Sequence, residues 1–240
     1  MKYEYKTRVP FSQTGVGEGF STIGTAQIIE DSVCDFFAAY GIDNPSIRAK
    51  HNALWMFVKN KFQNRAVAPW NDLISVSSYF TKITAATAVV DTVIKNSKGE
   101  ISVAARTEVC VIDLGLKRIR RISSVDFPKG AEVYPSQAGF DFTRFDPPEL
   151  CEKYKFSVPF TAIDYCDHVN NVEYLRFALN ATTVEREINN PVRETEIEFV
   201  SQAREGDLLT LFSGNEGCNE FYELKKDNTV VARCRLSRRV

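Results

Sequence analysis

The sequence predicts an α+β fold built from two similar halves. Three observations carry that expectation. The segment YEYKTRVPF at 3–11 returns as CEKYKFSVPF at 151–160. After a polar turn, each copy leads into a helical pattern with one apolar stripe. Each helix is followed by strand-like runs rich in β-branched and aromatic residues, with hairpin turns at matching places.

In the first half, Ile23, Ala26, Ile29, Val33, Phe36, Phe37 and Tyr40 recur at spacings of three and four, so a helix is expected from Thr22 to Tyr40. Gly41 ends it, because glycine adopts the left-handed conformation of the C′ position without a steric cost. Strands follow in NALWMFVKN, DLISVSSYFTKI, TAATAVVDTVIKN and EISVAARTEVCVID, with NSKGE at 96–100 as a hairpin turn. In the second half a helix is expected to start at Asn170 or Asn171, with Val172, Leu175 and Leu179 on its apolar face. VRETEIEFVS, DLLTLFS, EFYELKK and TVVARCRLS then follow in the same order, with KKDNT as the matching turn. The Pro-, Gly- and polar-rich stretch 123–150 reads as a linker crossing the surface. A long apolar helix wrapped by a curved antiparallel sheet is the hotdog fold. By analogy with that fold, since periodicity alone does not close a sheet, two tandem hotdogs are expected, at 1–122 and 151–240, packed as a pseudo-dimer.

Composition narrows the function. With 44% hydrophobic and 25% charged residues the chain can bury a core in water. A net charge of −1 gives no global attraction to nucleic acid or an anionic membrane. The start, MKYEYKTRVPF, has no apolar signal region, and no apolar run approaches the roughly 18 residues that span a bilayer. The six cysteines form no CxxC pair, so reduced thiols in the cytoplasm are expected rather than disulfides or a zinc site. Cys34, Cys110 and Cys234 lie among apolar neighbours and are expected in the core.

Two motifs give way to simpler readings. TGVGEGFSTIG at 14–24 lacks the third glycine spacing of a dinucleotide fingerprint, and hairpin-linked strands follow it. It reads as a strand-to-helix loop whose only ionisable side chain is Glu18. Lys117, Arg118, Arg120 and Arg121 could meet an acidic partner, but a charge run at a strand end is ordinarily a solvated face. His51 has no acidic neighbour in sequence and is expected at the surface or in a loop.

The remaining motif is DYCDHVNN at 164–171, which holds one of only two histidines. It lies between a strand and a helix start, where unpaired N–H groups and the positive dipole end can stabilise an oxyanion. A neutral His168 can take a proton from water or polarise a carbonyl. Asp164 can orient that ring or activate water. A polar turn, in which Asp and Asn side chains satisfy backbone donors, fits the same residues equally well.

At these residues the sequence resembles the fatty acyl–acyl carrier protein thioesterases of plants and bacteria. Their pattern is Asp-x-Asn-x-His-Val-Asn-Asn, with an aromatic residue three positions on. DYCDHVNNVEY places Asp164, His168, Val169, Asn170, Asn171 and Tyr174 on it. LWMFVKNKF and EVCVIDLGLKRIRRIS extend the likeness. The resemblance implies a double hotdog that hydrolyses an acyl thioester on the phosphopantetheine arm of acyl carrier protein. The acyl chain would lie in the first hotdog and the chemistry in the second. It implies no metal and no organic cofactor. Two letters depart from the family: Cys166 replaces asparagine, and Gln202, with Ala203, replaces a glutamate followed by cysteine or serine.

The expected function is thus thioester hydrolysis in fatty acid biosynthesis, with His168 first and Asp164 second as base or orienter. Asn170, Asn171 and the helix start would position the substrate, and Gln202 a water. Gln202 cannot itself act as a base. A covalent route through the Cys166 thiolate is the lesser alternative. The rival readings are a non-catalytic acyl-binding protein and a hotdog hydratase or dehydratase. The tandem pseudo-dimer can be complete by itself or can form a homodimer.

Overall fold

In the computed structural model, which describes residues 1–17 and 19–238, the first helix begins where Ser21 can cap it. The Ser21 hydroxyl accepts the Gly24 N–H at 2.8 Å, satisfying one of the donors a helix start leaves open. This helix, α1 (Thr22–Ala39), buries Ala26, Ile29, Val33, Phe36 and Phe37 on the expected face. Burying each phenylalanine contributes about 1.5–3 kcal/mol. Gly41 follows with φ of +69°, the left-handed C′ conformation. Gly24 has a different role. A Cβ there would meet the Gln13 main chain, so only glycine lets α1 sit against the turn at Phe11–Gln13.

Two compact units make up the chain, Met1–Asp141 and Phe142–Val240. In the first, α1 packs on a wholly antiparallel sheet. Its strands are β1 (Tyr3–Arg8), β2 (Ala53–Asn64), β3 (Leu73–Ile83), β4 (Thr87–Lys95) and β5 (Ile101–Asp113). Their order is β1-β3-β4-β5-β2, and a short β6 (Arg118–Arg120) pairs with the end of β5. In the second unit the strands are β7 (Cys151–Ser157), β8 (Glu194–Phe199), β9 (Leu208–Glu216), β10 (Asn219–Lys226) and β11 (Thr229–Ser237). Their order, β7-β9-β10-β11-β8, is the same topology one repeat later. The helix α3 (Asn171–Leu179) packs on β10 and β11. The α+β class and the repeat are those the sequence predicts. No helix among the described residues is long and apolar enough to cross a membrane.

Several local expectations are corrected. Short helices α2 (Asn44–His51) and α4 (Val184–Asn189) precede β2 and β8. Side chains of Asp43 and Thr183 cap them. Cys34 is exposed, because it follows Val33 by 100° around α1 and faces solvent. Cys110 and Cys234 are buried, and burial pushes the Cys110 thiol up to about 11. His51 does have an acidic partner: its Nε2 lies 2.9 Å from Asp126 Oδ2, which is 75 residues away in sequence. In the basic cluster, Arg120 is tied down by the His51 carbonyl at 2.8 Å and by Ser124.

The unit boundary at 141/142 falls inside the stretch expected as a linker. Its first part is fastened to the first sheet. Ser136 Oγ donates to the buried Asp91 at 2.5 Å, and Arg106 bridges Asp91 and Asp141.

Candidate active site

Residues 158–170 form a tight loop between β7 and α3. The turn at Phe160–Ala162 is followed by a bridge between Ile163 and Val169. Across that bridge, Asp164 N–H donates to the His168 carbonyl at 2.9 Å, and Asn170 N–H donates to Ala162 O at 2.9 Å. The first unit repeats every one of these bonds 149 positions earlier. Thr14 bridges Phe20, Gly15 N–H donates to Gly19 O, and Ser21 N–H donates to Gln13 O. These main-chain bonds are therefore shared, although Gly17 stands at φ of +98° where Cys166 has no positive φ, and the side chains differ. Gly15, Gly17 and Gly19 stand where Asp164, Cys166 and His168 stand. Glu18 lies outside the described residues.

Two expected site residues spend an oxygen on the backbone. Asp164 Oδ1 accepts the Cys166 N–H at 2.8 Å, closing an Asx turn. Asn170 is the N-cap of α3, and its Oδ1 accepts the Val172 N–H at 2.9 Å. The Val172 and Glu173 amides are thereby committed to the cap, which narrows the oxyanion donors expected of this helix start. Asn171 is the first residue of α3. The polar-turn reading thus describes Asp164 and Asn170 well, and it does not account for His168.

His168 is half-buried. Burial first, and the Arg204 cation second, hold its imidazole below the ordinary 6.5, against the opposing pull of Asp164, the Cys166 main chain and Asp167. Both effects favour the neutral ring, the form that can accept a proton. Its Nε2 lies 3.2 Å from Arg204 Nη2, while Arg204 Nη1 donates to Asp167 Oδ2 at 2.6 Å. Sequence reading passed over Arg204. Its only signal was a cation two positions after Gln202.

The loop that carries Gln202 and Arg204 is joined to the histidine loop at Ala203. Val169 N–H donates to Ala203 O at 2.9 Å, and Ala203 N–H donates to Tyr174 Oη at 2.9 Å. Gln202 and Arg204 thus flank a residue fastened to the site from both sides. Gln202 is exposed and Ala203 fully buried. Tyr174, the aromatic residue of the DYCDHVNNVEY pattern, is buried in α3, and burial pushes its phenol up to about 12. Tyr174→Phe removes the acceptor of a buried N–H. It is expected to cost about 1–3 kcal/mol and to lower turnover by loosening 202–204. Thermal unfolding and kcat measured together check this, and an unchanged Tm would contradict it.

Comparison with known proteins bears on the sequence and the fold. Residues 146–234 match the family model for the acyl-ACP thioesterase C-terminal domain. None of the curated proteins matches the sequence. Among solved structures, an acyl-ACP thioesterase from Bacteroides thetaiotaomicron superposes with a TM-score of 0.87 at 15% identity, covering 98% of this chain and 97% of that one. The 12:0-ACP thioesterase from Umbellularia californica gives 0.80 at 11% identity, covering 98% and 96%. In sequence over 146–234, and in fold over almost its whole length, the chain is similar to the acyl-ACP thioesterases.

Proposed function

We propose that the protein is a thioester hydrolase that releases free fatty acid from acyl carrier protein in fatty acid biosynthesis, in the cytoplasm. The observation that carries this reading is His168. It is half-buried three residues before α3, where burial favours the uncharged ring, inside the segment that matches the acyl-ACP thioesterase C-terminal domain. In this reading His168 takes the proton of the attacking water. Asp164 biases the ring electrostatically while its Oδ1 holds the turn. Asn171 and the positive end of α3 orient the acyl carbonyl. Gln202 donates to or accepts from the water without taking its proton. Cys166 keeps the main-chain bonds of the turn, and its thiol forms no acyl intermediate. The first unit takes the acyl chain, because its equivalent loop carries glycines where the second carries Asp164, Cys166 and His168.

Purified protein incubated with acyl carrier protein thioesters of several chain lengths tests the reading. Free fatty acid and free carrier thiol in equal amounts support it. A hydrated acyl thioester as product would indicate the hydratase, and an intact thioester bound tightly would indicate a non-catalytic carrier. Acidification gives a second check. A base whose folded pKa lies below 6.5 is fully competent above that value and is lost as pH falls through the lower, folded one. The kcat/KM profile is therefore expected to hold from neutral pH down past 6.5 and then to drop. In the same window the unfolded chain binds the proton more readily than the folded one, so His168 also subtracts stability there. An acid limb centred at or above 6.5 would contradict this assignment.

A further inference from the structure

We propose that the first unit carries a binding site for a small phosphorylated ligand, on the face of its sheet turned away from α1. All of its residues lie in Met1–Asp141, and none belongs to the loop at 164–171. α1 covers one face of β3, where the Ser32 and Ser78 hydroxyls meet at 2.8 Å. Side chains alternate along a strand, so Ser75, Ser77 and Tyr79 point to the opposite face. On that face opens a cavity of about 440 Å³, within the size range of small-ligand sites.

Strand register orders the wall of this cavity. Lys6 on β1 lies opposite Ser75 on β3, and Ser75 lies opposite Lys95 on β4. Residues in register share a face. Lys6 and Lys95 therefore flank Ser75 from two strands that are about 10 Å apart. In the next row Glu4 faces Ser77. Tyr79 stands one row further on. The Lys2 ammonium sits over its ring, 4.7 Å from the centroid, and 4.9 Å from the ring centroid of Tyr134.

Three features point to an anion. First, Lys2, Lys6 and Lys95 line the cavity against one carboxylate, Glu4, which already accepts the Ser77 hydroxyl at 3.0 Å. Like charges gathered around one cavity repel, and an anion between them relieves that repulsion. Second, Ser75 places a hydroxyl donor between two of the ammonium groups. Third, Tyr79 is 1% exposed, and its hydroxyl finds no acceptor among the described residues. Burial first, and Asp91 second, push this phenol up to about 12, so it keeps a proton to donate. The Gln137 main chain acts on it in the opposite sense, as an N–H does, and so offers no acceptor. A phosphoryl group carries negative charge on several acceptor oxygens, which suits a wall of ammonium and hydroxyl donors.

The test is calorimetric titration of the full chain with inorganic pyrophosphate at about 0.15 M salt, where exposed charges are largely screened. One site per chain is expected. In the double variant Lys6→Ala, Lys95→Ala the affinity should fall about tenfold or more, because two charged donors are lost. Both lysines are exposed, so the core is left intact. The double variant Lys98→Ala, Lys129→Ala removes two exposed lysines outside the cavity and controls for net charge. It should bind as the wild type does. Tyr79→Phe should weaken binding with no fall in Tm, because the hydroxyl it removes has no partner in the free protein. Phosphatidylcholine vesicles with and without phosphatidic acid separate a soluble ligand from a lipid headgroup. No binding of pyrophosphate, equal weakening in the two double variants, or capture by anionic vesicles without pyrophosphate binding would overturn the proposal.

Discussion

His168→Ala is expected to lower kcat by roughly 10²–10⁴, the range that a positioned acid–base group supplies. KM should change little, because the turn stays closed without the ring. The bonds that hold it are main-chain pairs, Asp164 to His168 O, Val169 to Ala203 and Asn170 to Ala162, together with the Asp164 and Asn170 side-chain caps. The side chain of His168 is used in none of them. A fall in kcat with intact folding therefore reports chemistry. Equal loss in kcat and kcat/KM would place the ring's contribution in the transition state. A variant that keeps full activity would remove His168 from the mechanism.

Glu220→Ala is expected to be the most destabilising single change in the second unit. Glu220 and Arg238 are 3% and 1% exposed and pair at 2.7 Å. Arg238 also bonds Glu187 at 2.9 Å, Asn190 O at 2.6 Å and Thr182 at 3.1 Å. Glu220 receives Arg186 and the Tyr222 hydroxyl besides. The cluster fastens the turn after α3 and the short α4 to β10 and β11. Removing the carboxylate leaves a buried guanidinium short of a partner, a change that costs about 3–5 kcal/mol. Burial alone would raise the Glu220 carboxyl, but Arg238 and Arg186 outweigh it and hold it below its usual range. The stabilisation is thus present above the ordinary value of 4.5 and lost as pH falls below it. Denaturant unfolding of wild type and variant at neutral pH measures this, and a difference below about 1 kcal/mol, the range of an exposed pair, would contradict it.

The repeat was legible because both halves must meet the same local demands. Alternating residues make the strands, a stripe at three and four makes each helix, and a small polar residue starts it. Ser21 and Asn170 are that polar residue one repeat apart. The chemistry-bearing loop was legible for the same reason, since it is the place where the two copies differ. The bonds between distant loops were not legible. Asp164 and Asn170 read equally well as site residues and as turn and cap residues, and each gives an oxygen to a nearby N–H. Arg204 carries no signal of its role in the sequence, because its contact with His168 depends on the Val169 to Ala203 bond between distant loops. His51 and Asp126 meet across 75 residues by the same kind of closure. Cys34 shows a limit of composition. Its neighbours are apolar, but its angle around α1 decides its exposure.

The central claim is that the loop at 164–171 uses water to cleave an acyl thioester on acyl carrier protein. It is tested most directly by turnover in 18O-water, with the fatty acid, the carrier thiol and the intact enzyme all followed by mass spectrometry. The account predicts one thiol released and one 18O gained for each acid formed, with no acyl mass on the enzyme at any time. An acyl adduct on Cys166, or no thiol release with any chain length, would contradict it.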